Sequence, residues 1–259
     1  MIVCKPPAAI ACRDKFLAES VQQKFEQHLS QLPADLAQVL RAHRGQPFQK
    51  WLHYFEIYDR HLARFRGKPV QFLEIGVWHG GSLEFWRAYL GAEATIHGVD
   101  IDPGVLETVS GEGFRIHIGD QADAEFLARL KAEIPRIDVV VDDGGHQMHQ
   151  LFASFQALYP HLAADGVYLC EDLHTCYMKD YGGGYRNTAS FLERRKDWID
   201  QLHAWYSEDV ELRATDFARS TGSMHYYDSV LVIEKRPWRQ PMAVEAGADG
   251  LTVFPARPR

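Results

Sequence analysis

The sequence of 259 residues has little cysteine, no long hydrophobic run and no excess of basic residues. Its four cysteines show no C-x-x-C spacing, which argues against a zinc site, and a chain of this length does not need disulfide bonds to fold. No stretch approaches the roughly 18 apolar residues of a transmembrane helix, and residues 1–13 lack the apolar core of a signal peptide. The formal net charge of −7 disfavours a general nucleic-acid or anionic-membrane binder, since both require a basic surface. We therefore expect a cytoplasmic protein.

What the sequence does have is the composition of an ordinary globular protein with a sizeable core, at 46% hydrophobic and 24% charged residues. Residues 1–66 are expected to form a helical N-terminal segment, because apolar side chains such as Tyr58 and Leu62 recur at helical spacing. Residues 67–238 are expected to form the main domain. Residues 239–259, which are rich in Pro, Gly and Ala, are expected to form a loosely structured tail.

Within the main domain, short apolar runs alternate with amphipathic stretches. This alternation predicts a parallel sheet with helices on both faces. The predicted strands are 70–75, 95–100, 114–118, 137–142 and 166–171, and the predicted helices are 82–90, 103–109, 122–131 and 148–162. They are followed by a predicted aromatic, Gly-rich loop at 174–188, a helix at 189–206 and two antiparallel strands at 208–213 and 225–235.

A glycine-containing turn joins the first predicted strand to the next helix, and it contains Glu74, Gly76 and Gly80. Glycines at such a turn let the backbone approach a ligand, and the helix N-terminus offers unpaired N–H groups. Asp100 ends the next predicted strand, 24 residues beyond Gly76, where an acidic side chain can accept both ribose hydroxyls of a nucleoside. Together these residues predict a nucleoside cofactor.

The spacing of this turn favours S-adenosylmethionine over NAD. It is E-x-G-x-x-x-G, whereas dinucleotide enzymes carry G-x-G-x-x-G. The carboxylate of Glu74 would suit the ammonium group of S-adenosylmethionine and would repel a pyrophosphate. Asp120 and Gln121 follow the third predicted strand, where they can meet the adenine edge, although Asp120 or Asp123 can instead cap a helix. Asp142, which ends the fourth predicted strand, is a further candidate cofactor contact.

Acidic residues also end the fourth and fifth predicted strands, with Asp143 after the fourth and Glu171 and Asp172 after the fifth. Neighbouring parallel strands lie roughly 4.8 Å apart, so these carboxylates should converge beside the cofactor. Carboxylates that close repel one another unless they share protons or bind a cation. An all-oxygen site suits Mg²⁺ better than Mn²⁺ or Ca²⁺. The alternative is that each carboxylate caps a helix or is simply solvated.

His146 lies three residues beyond Asp143 and is the candidate general base. An imidazole can accept a proton near neutral pH, particularly from a hydroxyl that a metal has acidified. Asp143 is the second candidate catalytic residue. His149 and His174 are the alternatives for the base.

Three runs carry a resemblance to a known family: VVVDDGGHQMHQ, GVYLCEDLHTCYMKDYGGG and SMHYYDSVLVIEK. They resemble the macrocin and mycinamicin sugar O-methyltransferases, which belong to a wider group with the cephalosporin-hydroxylase-like proteins. The resemblance covers about residues 50–235. It implies an α/β, Rossmann-like class I methyltransferase with a mostly parallel seven-stranded sheet.

The resemblance also implies a function and a set of site residues. It implies Mg²⁺-dependent methyl transfer from S-adenosylmethionine to a sugar hydroxyl on a glycosylated natural product, in a homo-oligomer. The implied metal ligands are Asp143, Glu171 and Asp172, and the implied base is His146. The implied cofactor contacts are Tyr54, Glu74, Gly76, Ser82, Asp100, Asp120 and Gln121.

Other interpretations of the sequence stay open at this point. The acceptor can be a surface polysaccharide or another small hydroxy compound. The chain can also be a cofactor-binding partner protein without catalysis, or a dehydrogenase. The larger relatives carry a separate N-terminal domain where this chain has a short helical segment, which affects the expected assembly and acceptor.

Overall fold

The computed structural model of this chain describes residues 15–109, 113–236, 241–248 and 250–255. Its N-terminal part is helical, with α1 at Lys15–Leu29, α2 at Ala34–Ala42 and α3 at Tyr54–Leu62. The predicted helical segment before residue 15 lies outside the described residues, as do Cys4 and Cys12. The other two cysteines, Cys170 and Cys176, are buried free thiols.

Strands and helices then alternate as the apolar pattern predicted. The order is β1 (Gln71–Ile75), α4 (Gly81–Leu90), β2 (Thr95–Asp100), α5 (Val105–Thr108), β3 (Phe114–Ile118), α6 (Ala124–Glu133), β4 (Ile137–Asp142), α7 (Met148–Leu158) and β5 (Leu162–Cys170). The later elements are α8 (Phe191–Arg194), α9 (Asp197–His203), α10 (Asp216–Ser220), β6 (Thr221–Tyr226), β7 (Leu231–Lys235), β8 (Met242–Gly247) and β9 (Gly250–Pro255).

Seven strands form one sheet in the order β3-β2-β1-β4-β5-β7-β6. Strands β1 to β5 are parallel, and β7 runs antiparallel to both β5 and β6. The register pairs Ile75 with Asp142 and Asp142 with Cys170, so β1, β4 and β5 end at the same edge. The mostly parallel seven-stranded sheet is thereby confirmed, and the residues that follow these strands meet at its carboxyl edge.

The sheet separates two hydrophobic layers. Alternate residues of β4 face opposite sides, with Val139 and Val141 in one buried cluster and Val140 in the other. All six residues of β4 are buried, as expected for a central strand of a parallel sheet. The N-terminal helices belong to the first cluster, where Phe55 and Tyr58 of α3 contact aromatic residues of α4.

The region after β5 differs from the sequence-based expectation. Residues 208–213, predicted as a strand, form none, and Val210 is 75% exposed. The strand that pairs with β7 is instead β6, and the predicted helix at 189–206 is divided into α8 and α9 with a short 3-10 turn. A run with only two alternating apolar residues has too little to bury, so tertiary packing decided which segment joins the sheet edge.

The tail also differs from the loosely structured chain that its composition suggested. Its described residues form an antiparallel ribbon of β8 and β9, and nearly all of their side chains are exposed. In the described part of the chain, none of the helices is both long and apolar enough to cross a bilayer.

Candidate active site

A cavity of about 520 Å³ opens at the carboxyl ends of β1 to β4. Four residues that the sequence assigned to the cofactor line it, namely Gly76, Asp100, Asp120 and Gln121. Asp143 lines it as well. This is the crevice at a sheet edge where α/β proteins bind nucleoside cofactors.

The turn after β1 is shaped by a glycine and by Asp100. Gly76 has a φ of +90°, and a Cβ at this position would collide with the backbone carbonyl of Asp143, so only glycine fits. The Asp100 Oδ2 atom accepts hydrogen bonds from the backbone N–H groups of Val77 at 2.9 Å and Trp78 at 3.0 Å. Asp100 therefore both holds the turn and presents its carboxylate to the cavity.

Two hydrogen bonds fix the side chain of Gln121 at the cavity wall. Its Nε2 donates to Asp142 Oδ1 at 2.9 Å, and its Oε1 accepts from the Gly145 N–H at 3.0 Å. Asp142 is fully buried and lies outside the cavity lining, where Ser154 and Tyr168 each donate to its Oδ2 at 2.6 Å. Burial raises the pKa of Asp142, and these hydrogen bonds oppose that rise. The structure thus places Asp142 where it orients Gln121.

Glu74 and Ser82, two further predicted cofactor contacts, also lie outside the cavity lining. Glu74 is fully buried, and its carboxylate accepts from Ser82 Oγ at 2.6 Å and from Trp86 Nε1 at 3.2 Å. Its third donor is Lys50 Nζ at 3.2 Å. In this arrangement both oxygens of Glu74 are occupied by protein groups beside the crevice.

Lys50 lies between Glu74 of β1 and the acidic residues that follow β4 and β5. Its Nζ lies 2.7 Å from Asp143 Oδ2 and 3.0 Å from Glu171 Oε2, besides its contact with Glu74. Burial disfavours the charged ammonium, but the carboxylates of Asp143 and Glu171 outweigh it, and the pKa of Lys50 lies well above its usual value. One buried ammonium therefore faces three carboxyl groups at this edge.

Two tyrosines of α3 hold the remaining acidic groups. The Tyr58 hydroxyl donates to Glu171 Oε1 at 2.7 Å, and the Tyr54 hydroxyl donates to Asp172 Oδ1 at 2.7 Å. Tyr54, predicted as a cofactor contact, is thus placed at the acidic cluster and outside the cavity lining. Burial raises the pKa of Glu171 well above its usual value, and the charge of Lys50 opposes that rise.

His146 lies between two of the acidic side chains. Its Nε2 is 3.6 Å from Asp143 Oδ1 and 3.7 Å from Asp172 Oδ2. Both His146 and Asp172 have left-handed backbone conformations, with φ values of 54° and 53°. Non-glycine residues held in this region store strain and are concentrated at functional sites. The alternatives for the base lie elsewhere, since His149 is exposed on α7 and His174 Nδ1 is 2.6 Å from Ser229 Oγ.

The cluster has the chemistry of a divalent cation site. Ligand atoms of Asp143, His146 and Asp172 all lie within 4.8 Å of one another. The His146 Nδ1 atom is buried and has no hydrogen-bond partner within the described chain. The two aspartates of this group offer the carboxylate oxygens that a hard divalent ion such as Mg²⁺ prefers. Glu171, the third predicted ligand, has both oxygens occupied by Lys50 and Tyr58.

The roles of Lys50 and Tyr58 at the acidic cluster, and of Trp78 and His79 in the cavity lining, were not predicted from the sequence. Lys50 stands 93 residues from Asp143 and 121 from Glu171, so no local spacing could have paired them. The available signal was a lysine directly before an aromatic-rich helix. Trp78 and His79 lie within the glycine-containing turn and could have been included with it.

Comparisons with known proteins relate this chain to methyltransferases. A methyltransferase domain family model matches residues 73–173. A tetracenomycin-C rhamnoside 3'-O-methyltransferase from Streptomyces olivaceus is 34% identical over 78% of this chain and 54% of its own length. The mycinamicin VI 2''-O-methyltransferase from Micromonospora griseorubida is 34% identical over 71% of this chain and 49% of its own length.

A solved structure gives the same result. The MycE methyltransferase from the mycinamycin biosynthetic pathway, in complex with Mg and SAH, superposes with a TM-score of 0.68 at 33% identity. The match covers 78% of this chain and 55% of that protein. The chain therefore spans about half the length of the curated relatives it matches. Over about three quarters of its length, this chain is a homologue of the macrocin- and mycinamicin-type sugar O-methyltransferases, with their Rossmann-like methyltransferase domain.

Proposed function

We propose that this protein transfers a methyl group from S-adenosylmethionine to a hydroxyl of a sugar on a glycosylated natural product, with Mg²⁺ at the site. The relatives named for such reactions support the activity, and the MycE complex with Mg and SAH supports both cofactors. The sequence-based assignments of Asp143, Glu171 and Asp172 to the metal and of His146 to proton transfer remain part of this proposal.

The observation that carries the proposal is the position of Asp143. This residue lines the cofactor cavity and also belongs to the cluster with His146 and Asp172. A methyl donor in the cavity and an acceptor hydroxyl at the cluster would therefore be neighbours. Bringing two reactants together in this way supplies much of the acceleration of a transfer reaction.

Each residue of the cluster has a separate role in the proposed reaction. A bound Mg²⁺ ion would supply the Lewis acidity that makes an acceptor hydroxyl easier to deprotonate. Asp143 and Asp172 would hold that ion, with Glu171 next to them, and Lys50 and Tyr58 keep Glu171 in place. His146 Nε2, between the two aspartates, would take the hydroxyl proton.

We assign the sugar acceptor to exposed aromatic side chains in the segments that follow Lys50 and Asp172. Trp51 follows Lys50 directly, is 55% exposed and makes an edge contact with His174. Tyr177 is 58% exposed in the loop after β5. Aromatic faces next to a polar cluster are a common surface for a sugar ring. The predicted homo-oligomer and cytoplasmic location belong to the same proposal, and sedimentation and cell fractionation test them.

Metal removal tests the proposed function. We expect EDTA to abolish methyl transfer from labelled S-adenosylmethionine to a panel of glycosides that includes mycinamicin VI, and Mg²⁺ to restore it. Cofactor affinity, measured by calorimetry, should barely change, because the cavity is lined mainly by residues outside the cluster. Full turnover in a metal-stripped sample would contradict the metal assignment. Binding of NAD in place of S-adenosylmethionine would contradict the activity.

A further inference from the structure

A second group of metal-ligating side chains lies away from the acidic cluster. His61 of α3, His225 of β6 and Glu234 of β7 place one ligand atom each within 4.8 Å of one another. Glu234 pairs with Val167 in the sheet, while Leu231 pairs with Cys170 at the carboxyl edge. Three residues of strand separate the two positions, or about 10 Å along β7. The group is therefore distinct from the site at the strand ends.

The contacts within this group match those of a metal site with an outer shell. His61 Nδ1 lies 3.0 Å from Glu234 Oε1, and the His61 and His225 ring centroids are 4.6 Å apart. The other ring nitrogen of His61 is 2.8 Å from the Tyr227 hydroxyl. Metal-binding histidines commonly use their second nitrogen for such a hydrogen bond, which fixes the ring and its tautomer.

Glu234 is similarly supported. Ser223 Oγ donates to its Oε2 at 3.2 Å, and Arg236 Nη2 lies 3.5 Å from the same oxygen. The Arg236 side chain is 66% exposed, so it can move into solvent when another cation binds Glu234. The Oε1 atom, on the His61 side, remains directed at the histidine pair.

We propose that His61, His225 and Glu234 form a binding site for Zn²⁺ that fastens α3 to β6 and β7. Two imidazoles and one carboxylate form a ligand set that suits Zn²⁺, with a water molecule in the fourth position. The ion bridges an element of the N-terminal segment and the antiparallel edge of the sheet. Three protein ligands and one water leave an open coordination position, so the ion connects these elements without closing its coordination shell, and its binding does not depend on the methyl-transfer activity.

Zinc binding to the full chain tests this proposal, with Mg²⁺ in excess so that oxygen sites are competed. We expect one tight Zn²⁺ per chain by equilibrium dialysis and a rise in Tm on zinc addition. We expect His225→Phe, which keeps an aromatic ring beside Tyr227, and Glu234→Gln to weaken zinc binding at least about 100-fold. Loss of an outer-shell partner alone typically costs about 10–100-fold, and a lost ligand should cost more.

The matched control is His203→Phe, because His203 is an exposed histidine of α9 outside the group. It should bind zinc as the parent protein does. Co²⁺ in place of Zn²⁺ gives a second readout, since its visible absorption reports the ligand geometry and should disappear in His225→Phe.

Three outcomes would overturn the proposal. The parent chain could fail to bind zinc tightly, or both ligand variants could retain the parental affinity. Zinc could also be lost in His146→Ala and retained in His225→Phe, which would assign it to the acidic cluster. If one ligand variant does not fold, as judged by circular dichroism, the other ligand variant decides the test.

Discussion

The two halves of the carboxyl edge of the sheet hold their acidic side chains in different ways. In the β1–β3 half, Asp100 accepts hydrogen bonds from backbone N–H groups no more than 23 residues away, and Asp120 accepts from Ala122 N two residues away. In the β4–β5 half, the carboxylates are held by side chains of Lys50, Tyr54 and Tyr58, which are 93 to 121 residues away in sequence.

The contacts of the first half form between residues that are near in sequence, whereas those of the second half require tertiary contacts between distant segments. The donors to Asp100 are backbone N–H groups of the turn after β1, so this contact is made within the β1–α4–β2 unit. The β4–β5 half instead concentrates carboxyl groups, and it depends on a lysine and two tyrosines from the N-terminal segment. The segment that contains Lys50, Tyr54 and Tyr58 is therefore part of the proposed active site.

The largest expected effect concerns the β4–β5 half. We expect His146→Ala to lower kcat by about 10²–10⁴-fold, the usual cost of losing a positioned proton acceptor. Cofactor affinity should change little, because His146 does not line the cofactor cavity. Methyl-transfer kinetics with labelled donor would measure both.

The matched control for this prediction is His149→Ala, an exposed histidine three residues further along the chain, which should keep the parental rate. If excess Mg²⁺ restores the His146→Ala rate, His146 is a metal ligand. A variant that retains more than half of the parental rate would remove His146 from the mechanism and return attention to His149, His174 or Asp143.

The dependence of the β4–β5 half on Lys50 can be measured as stability. Lys50→Met leaves buried carboxylates without their cation, which typically costs about 3–5 kcal/mol, and urea unfolding would report it. Lys196→Met is the control, since Lys196 forms an exposed pair with Glu193 and should matter by less than about 1 kcal/mol.

A double variant sharpens the Lys50 measurement. Adding Glu171→Gln to Lys50→Met removes one of the unpaired carboxylates, so part of the lost stability should return. If Lys50→Met lowers the free energy of unfolding no more than Lys196→Met does, the β4–β5 half does not depend on Lys50. The comparison of the two halves would then be wrong.

Strands β1 to β3 also contain a buried histidine pair, away from the carboxyl edge, that should lower the stability of the protein in acid. His97 Nδ1 lies 3.0 Å from His117 Nε2, and its other nitrogen is 3.0 Å from Gln71 Oε1. Burial lowers the pKa of His97 to about 4, and the neighbouring His117 and Arg115 add to the effect. The unfolded chain therefore binds a proton at a higher pH than the folded chain, and the contribution of His97 is fully present above about pH 6.5.

That contribution should be lost as the pH falls from about 6.5 to about 4, by up to roughly 3 kcal/mol. Urea unfolding at several pH values would measure it. His97→Gln, which cannot titrate, should give a flatter pH dependence, and His203→Gln should follow the parent. Identical pH curves for His97→Gln and the parent would contradict the assignment.

The smallest expected effect tests the cofactor side. Asp100→Ala should weaken S-adenosylmethionine binding by about 1.5–3 kcal/mol, the value of a hydrogen bond to a charged group. Asp100→Asn keeps an acceptor for the turn, so it separates loss of the cofactor contact from loosening of the loop. Asp123→Ala is the control, because Asp123 caps α6 outside the cavity. Calorimetry showing an unchanged affinity in folded Asp100→Ala would remove Asp100 from the cofactor site.

The sequence by itself determined the parallel core and the general location of the site. The apolar runs of β1 to β5, the glycine at position 76 and the acids at the strand ends are local features, and parallel strands bring such ends to one edge. The same local information could not distinguish a residue that lines the cavity from one beside it. Glu74 and Asp142 lie near the carboxyl ends of their strands, as expected. Their carboxylates, however, accept hydrogen bonds from other side chains of the protein.

Only the tertiary structure decided what compensates the acidic cluster and which segment completes the sheet. Lys50 and Tyr58 meet Glu171 because α3 packs against the sheet through its aromatic face, a contact that joins distant parts of the chain. Strand β6, and not residues 208–213, pairs with β7, because tertiary packing also decides which segment joins the sheet edge. Local propensity and spacing act over a few residues, whereas burial and charge compensation depend on which distant surfaces the folded chain brings into contact.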